Sequence, residues 1–218
     1  MGTAELDLSE VREMIRHVAR GMIASTDQLT QADKAIGDGD HGVGMARGFE
    51  NVLLKVSAQE FASVGELFKT VGTAILTSAG GAAGAVFGTL FRGAAENVGD
   101  RTSLTAASLS VMLRDGLLAV KDRGGAKAGD KTMIDALEPA ALEAERMTSA
   151  PVAEALAAVA EAARHGMEKT REMVATVGKA KTLGGRSLGY PDPGAVSMSL
   201  ILYFMAEFAA RKSNTEEP

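Results

Sequence analysis

Apolar residues recur at helical spacing along almost the whole chain. Val11, Met14, Ile15, Val18, Met22 and Ile23 fall on the i, i+3, i+4, i+7 stripe of a half-buried helix. Asp7 or Ser9 stands where a cap would start it. Val64, Leu67, Phe68, Val71, Ile75 and Leu76 repeat the pattern, and Leu104, Leu109, Leu113, Leu117 and Val120 follow it less strictly. From Pro151 the run PVAEALAAVAEAARHGMEKTREMV places proline in a first turn and then strong helix formers. The pattern predicts eight helices, at 8–30, 42–56, 60–78, 82–98, 104–122, 131–147, 150–176 and 193–212. No β-branched run of period two is long enough to predict a strand. Short connectors make neighbouring helices antiparallel. The expected fold is an all-α bundle of eight helices in one domain, residues 1–218, with SNTEEP (213–218) as a frayed tail.

Composition narrows the function. With 46% apolar residues the 218-residue chain can build a core, and no disordered class is needed. A net charge of −5 offers no basic face for a phosphate backbone, so nucleic acid is not an expected partner. The absence of cysteine removes disulfides, thiolate metal sites and thiol nucleophiles, and fits a reducing cytoplasm. MGTAELDLSEVREM shows no basic segment followed by an apolar run, so no signal peptide is expected. The longest apolar stretch, AVSMSLILYFMAEFAA, is interrupted by Ser197, Ser199 and Glu207 and reads as a buried helix, not a membrane span.

The 25 glycines are distributed unevenly. They gather at IGDGDHGVG, SAGGAAGAVFG, DRGGAKAGDK and LGGRSLGYPDPGA, each at a predicted helix junction or N-terminus. Glycine costs a helix about 1 kcal/mol relative to alanine, so simple connectors do not explain four such clusters.

In the first cluster Asp33, Asp38 and Asp40 lie within eight residues. Asp38 and Asp40 flank Gly39, and alternate side chains of an extended loop face one point; Asp33 reaches it from the preceding helix. Three such carboxylates repel unless a cation stands among them. An all-oxygen set suits Mg²⁺ or Ca²⁺ rather than zinc. An EF-hand is excluded, because its twelfth position, counted from Asp33, is Gly44.

SAGGAAG opens a helix whose bare N-terminal amides suit an anion, though small residues also permit close packing. In GDKTM, Lys131 and Thr132 stand in a first turn, either approaching a phosphate or adenine or forming an ordinary cap. In GGRSLGYPDPGAVS two prolines stiffen a loop, and Arg186 is either a phosphate clamp or a solvated loop charge. His41 can stack, donate to phosphate or carry a proton, whereas His17 and His165 lie on helix patterns. No G-x-S-x-G elbow or Ser-His-Asp grouping supports acyl chemistry.

Taken together, DKAIGDGDHGVGMARGF, SAGGAAGAVFGTLF, DRGGAKAGDKTMIDAL and GRSLGYPDPGA, in this order, resemble the nucleotide-binding L subunit of dihydroxyacetone kinase. The resemblance covers the chain nearly end to end. It implies a barrel of eight antiparallel helices with a nucleotide, ADP or ATP, at one end, and two Mg²⁺ ions held by Asp33, Asp38 and Asp40. It further implies a nucleotide site formed by His41, Gly42, Val43, Gly44, Ala82, Ala83, Gly124, Met133, Arg186, Asp192, Pro193 and Gly194. The implied partner is a K subunit carrying the ketose, and the chain itself would supply no catalytic group beyond the metal–phosphate site. A homodimer or hetero-oligomer is expected.

Two positions depart from many members of that family. Gly44 replaces a common asparagine and Ala83 a common serine, each removing a side-chain hydrogen bond near the nucleotide. His41 after the DGD resembles the separate-subunit type, in which a phosphoprotein of the sugar phosphotransferase system recharges bound ADP. Free exchange of ATP, a four-carbon ketose such as erythrulose as acceptor, and a non-catalytic nucleotide-sensing module are the competing expectations.

Overall fold

A computed structural model describes residues 3–215, with side chains to residue 213. The α-helices are α1 (Leu8–Ala24), α2 (Thr26–Ile36), α3 (His41–Ala58), α4 (Val64–Ser78), α5 (Gly81–Ala94), α6 (Ala106–Gly124), α7 (Ile134–Arg146), α8 (Val152–Lys169) and α9 (Pro193–Thr215). The segments Thr170–Glu172 and Lys179–Ser187 are 3-10 helical. The expected frayed tail begins helical, as part of α9; residues 216–218 lie outside the described residues.

Each expected helix is present, with two corrections at the ends of the pattern. The span 8–30 is two helices that meet at Ser25. There the Ser25 hydroxyl donates to the Gly21 carbonyl at 2.8 Å, and the Thr26 hydroxyl to that of Ile23 at 2.6 Å. The Ser25 hydroxyl joins that residue's own N–H on the Gly21 carbonyl, and the Thr26 hydroxyl takes the Ile23 carbonyl, so the chain bends with these carbonyls satisfied. A strand pair, not expected, also exists: β1 (Glu5–Asp7) and β2 (Ser103–Thr105) form an antiparallel ribbon with Leu6 opposite Leu104. Three residues are too few to carry a period-two signal. Of the two cap candidates for α1, Asp7 is the cap, in a reciprocal box with Glu10.

Eight helices close a ring. α1 packs on α3, and α3 to α9 each pack on the next; α9 returns to α1. Closure gives each stave a neighbour on both sides, and the apolar stripes meet inside the ring. Val18, Met45, Phe49, Ile75, Phe87, Leu137 and Val159 are all buried there. Burying each large side chain contributes about 1.5–3 kcal/mol. α2 is not a stave; it lies against α3 and α9. α9 has the length and hydropathy of a membrane span, but it closes the ring between α8 and α1.

The staves alternate in direction, so helix ends collect by kind. α3, α5, α7 and α9 begin at the end of the barrel where α4 and α6 finish. Four helix N-termini therefore converge, and four positive dipole ends face one region.

Pro139 lies inside α7, so the Asp135 carbonyl has no helical amide to receive. Gly166 of α8 packs onto that carbonyl: a Cβ at 166 would lie 2.1 Å from it and 2.8 Å from the Pro139 ring. Gly166→Ala is expected to lower stability by about 1–3 kcal/mol, because backbone must move. Gly185, with nothing within 4 Å of a built Cβ, is the control: its alanine variant should be neutral or slightly stabilising in the same thermal melts.

Candidate metal and nucleotide site

The converging ends enclose a cleft of ≈ 460 Å³, within the range of small-ligand sites. Its acidic wall is built by the turn between α2 and α3. Asp33 is buried near the end of α2, whereas Asp38 and Asp40 are exposed in the loop. One oxygen from each carboxylate lies within 4.8 Å of the others, as the spacing predicts.

Local geometry explains the glycines. A Cβ on Gly37 would fall 2.1 Å from an Asp33 carboxylate oxygen, so only glycine lets the chain fold back over that side chain. Gly39 has φ +80°, the left-handed region in which it is at ease. The other Asp33 oxygen accepts the His41 backbone N–H at 3.1 Å, tying the acid to the first turn of α3.

The cluster is partly neutralised from across the cleft. Lys179, which begins the second 3-10 segment, donates to Asp38, and its Nζ lies 3.7 Å from Asp40. That hydrogen bond holds the Asp38 carboxyl below its ordinary value and raises the Lys179 ammonium. An ammonium among three carboxylates marks the cation-seeking point of the site. The all-oxygen donor set fits a hard divalent ion.

His41 is well packed. Burial lowers its imidazole pKa against the opposing pull of Asp33 and Asp40. Its Nε2 and the Ser197 hydroxyl of α9 lie 2.7 Å apart, which fixes the ring across the cleft mouth.

The other walls come from the remaining glycine clusters. The α4–α5 turn contributes Gly80 to Ala83, whose first-turn amides have no helical acceptor. Gly44 lets α3 touch this turn, since a Cβ there would lie 2.9 Å from the Ala79 carbonyl. Val86, Phe87, Val120, Met133 and Ile134 form an apolar wall suited to a planar base. Gly124 completes it at the end of α6.

Asp192, Pro193 and Gly194 form the start of α9. The Asp192 carboxylate accepts the Ala195 N–H at 2.8 Å, and Gly194 packs on Met133. Burial among protein atoms pushes the Asp192 carboxyl up to about 7. Nearby Asp135 adds to this, while the Ala195 hydrogen bond and the charge of Lys131 oppose it.

Three expected residues are not brought to the cleft wall. Gly42 packs against Thr26 and Thr30 of α2, Val43 is exposed, and Arg186 is exposed on the second 3-10 segment. The reading of GDKTM needs correction. Residues 131–133 precede α7, and the Lys131 ammonium is buried against backbone carbonyls, not offered to a phosphate. Sequence reasoning missed Lys179 and Arg47, both on the cleft wall. The available signal for Lys179 was a basic residue directly after Gly178 in a loop already rich in glycine.

Asp192 carries a pH signature. Its folded pKa lies above the ordinary carboxyl value, so between about pH 4 and pH 7 the unfolded chain releases a proton that the folded chain keeps. This group makes stability fall as pH rises through that window. Asp192→Asn should flatten that part of the curve in urea titrations at stepped pH; an unchanged slope would contradict the assignment.

The family described as "DAK2 domain" matches residues 35–207. A relative from Escherichia coli (strain K12), the PEP-dependent dihydroxyacetone kinase, ADP-binding subunit DhaL, is 42% identical over 193 residues, 85% of this chain and 90% of the relative. The ADP-binding subunit DhaL of PEP-dependent dihydroxyacetone kinase 1 from Listeria innocua is 38% identical over 181 residues, 82% of this chain and 85% of its own length. Among solved structures, the native dihydroxyacetone kinase of C. freundii superposes with a TM-score of 0.72 at 26% identity, covering 95% of this chain and 36% of that one. The same kinase in complex with AMP-PNP and Mg²⁺ gives 0.69 at 27% identity, over 90% of this chain and 33% of that one. The chain thus spans nearly all of the separate subunits and about a third of the C. freundii kinase, and it belongs to the DAK2 domain family.

Proposed function

We propose that this chain is the nucleotide- and Mg²⁺-binding phosphotransferase subunit of a dihydroxyacetone kinase, passing a phosphoryl group to a ketose on a separate K subunit. The carrying observation is convergence: the three clustered carboxylates and the first turns of α3, α5 and α9 open onto one cleft with an apolar wall. Anionic and cationic features together suit a metal-bound polyphosphate, and the apolar wall suits its base.

Asp33, Asp38 and Asp40 would hold the metal. Because Mg²⁺ takes one or two carboxylates and fills its remaining positions with water and phosphate, three carboxylates are enough for two ions. Bound there, Mg²⁺ supplies charge neutralisation for the phosphoryl group in flight. The first-turn amides of Gly81 to Ala83 would bind phosphate oxygens, with the N-terminal dipole of α3 directed at the same region. Val86, Phe87 and Met133 would offer the base an apolar surface, with the Asp192-Pro193-Gly194 turn and Gly124 beside it. On the second 3-10 segment Lys179, not Arg186, stands on the cleft wall and would meet the phosphates. His41, held by Ser197, orders the first turn of α3.

The names of the E. coli and Listeria relatives support PEP as the ultimate donor. In this reading ADP stays bound as a coenzyme and a phosphoprotein of the sugar phosphotransferase system recharges it in the cytoplasm. Exchangeable ATP and a four-carbon ketose such as erythrulose are the alternatives within the same chemistry.

Asp38→Ala and Asp40→Ala are each expected to weaken Mg²⁺-dependent ADP binding about 100-fold or more by calorimetry, with helical circular dichroism unchanged. Preserved affinity would contradict the metal assignment. Supplying the K subunit with dihydroxyacetone should then yield phosphorylated ketose. Nucleotide binding without transfer, from either ATP or a phosphoprotein donor, would instead identify a sensing module.

A further inference from the structure

Lys131 is among the largest side chains buried to less than 2% exposure, yet it carries a charge. It is also the one non-glycine residue of positive φ among the described residues, at +62°. Both features are costly, and a buried ammonium persists only where polar groups replace its water. Here four do. Nζ donates to the backbone carbonyls of Thr170 at 2.8 Å, Met173 at 3.1 Å, Ser187 at 2.6 Å and Tyr190 at 2.7 Å.

The four carbonyls come from the start of the first 3-10 segment (Thr170), the residue after it (Met173), the end of the second segment (Ser187) and the turn before α9 (Tyr190). They bracket the loop that carries Lys179 and Arg186, and the last of them lies two residues before Asp192. Such a set of inward-facing oxygens resembles the coordination shell of a monovalent cation. We infer that Lys131 is a tethered monovalent cation, a positioning residue whose ammonium gathers the 170–192 segment into the shape that presents one side of the cleft.

Neighbouring contacts support this role. The loop carrying Lys131 is itself clamped, because the two Asp135 carboxylate oxygens accept the N–H groups of Gly129 at 2.6 Å and Thr132 at 2.7 Å. A second tie joins the same two segments, from the Thr176 hydroxyl to an Asp130 carboxylate oxygen at 2.6 Å. The ammonium also meets the chain where α8 stops. The Thr170 carbonyl, the first beyond α8, accepts both Nζ at 2.8 Å and the Met173 N–H of the 3-10 turn at 3.2 Å, where the chain enters the cleft-lining loop. The positive φ is what aims the side chain from the 129–133 turn into the cage.

The cage itself is independent of the function proposed above; its consequence for ADP rests on that reading. Three measurements on the full chain separate them. In the unaltered protein with ¹⁵N-labelled lysine, one NH₃⁺ group should exchange with solvent at least about tenfold more slowly than the exposed lysines. Lys131→Met should speed hydrogen exchange of the amides between residues 173 and 190 by about tenfold or more, and weaken ADP binding by a similar factor. Lys131→Gly relieves the φ strain and opens the cage, so ethylammonium or propylammonium should restore slow exchange. Tetramethylammonium, which has no N–H to donate, should fail at the same ionic strength.

Absence of any protected NH₃⁺, unchanged loop exchange in Lys131→Met, or equal rescue by tetramethylammonium would each overturn the inference. The first of these needs no variant, so a misfolded substitution cannot shelter it. If the unaltered chain binds no ADP, the proposed function fails while the exchange measurements still decide the cage.

Discussion

Three carboxylates held within 4.8 Å of one another repel, and the rest of this structure is arranged so that positive charge can stand beside them. The ring of alternating helices does this without spending a side chain, by turning four N-termini towards the same end. Lys179 adds a full charge from the opposite wall. The backbone N–H of His41 adds a hydrogen bond to Asp33 from the first turn of α3. An arrangement of this kind suits a ligand that brings both signs, a cation for the acids and phosphate for the helix ends.

Keeping those ends together requires a rigid barrel, and the packing supplies it through close backbone approach. Gly44 touches the α4–α5 turn and Gly166 meets the carbonyl that Pro139 leaves free in α7. At both places a methyl group would press on backbone, which has nowhere to retreat. The glycines thus serve two ends: some let a loop turn, and others let staves touch. The same economy bears on the departure at position 44. A side chain there would meet the Ala79 carbonyl, so in this chain the contact between α3 and the turn takes the room that an asparagine would need.

Much of this was legible in the sequence, because helical periodicity and glycine clusters are local signals. The stripe from Val11 to Ile23 gave α1 and the cap choice narrowed to two residues. The spacing of Asp33, Asp38 and Asp40 foretold the acid cluster. What escaped were features set by distant partners. The break at Ser25 carries two hydroxyl-to-carbonyl hydrogen bonds, in a stretch that the apolar pattern assigns to one longer helix. The contact just past α8 joins the Thr170 carbonyl to Lys131, 39 residues earlier. No window of sequence around residue 170 contains that information. Lys131 itself read as a first-turn helix residue because its left-handed backbone, unusual for lysine, leaves no mark in composition.

Native mass spectrometry of the purified chain tests the central claim most directly, after incubation with ADP and Mg²⁺ and exchange into volatile buffer. The account predicts one ADP retained together with magnesium, and both lost when the metal is chelated first. A chain that emerges bare from millimolar ADP and Mg²⁺, or one that holds ADP equally well in chelator, would contradict it.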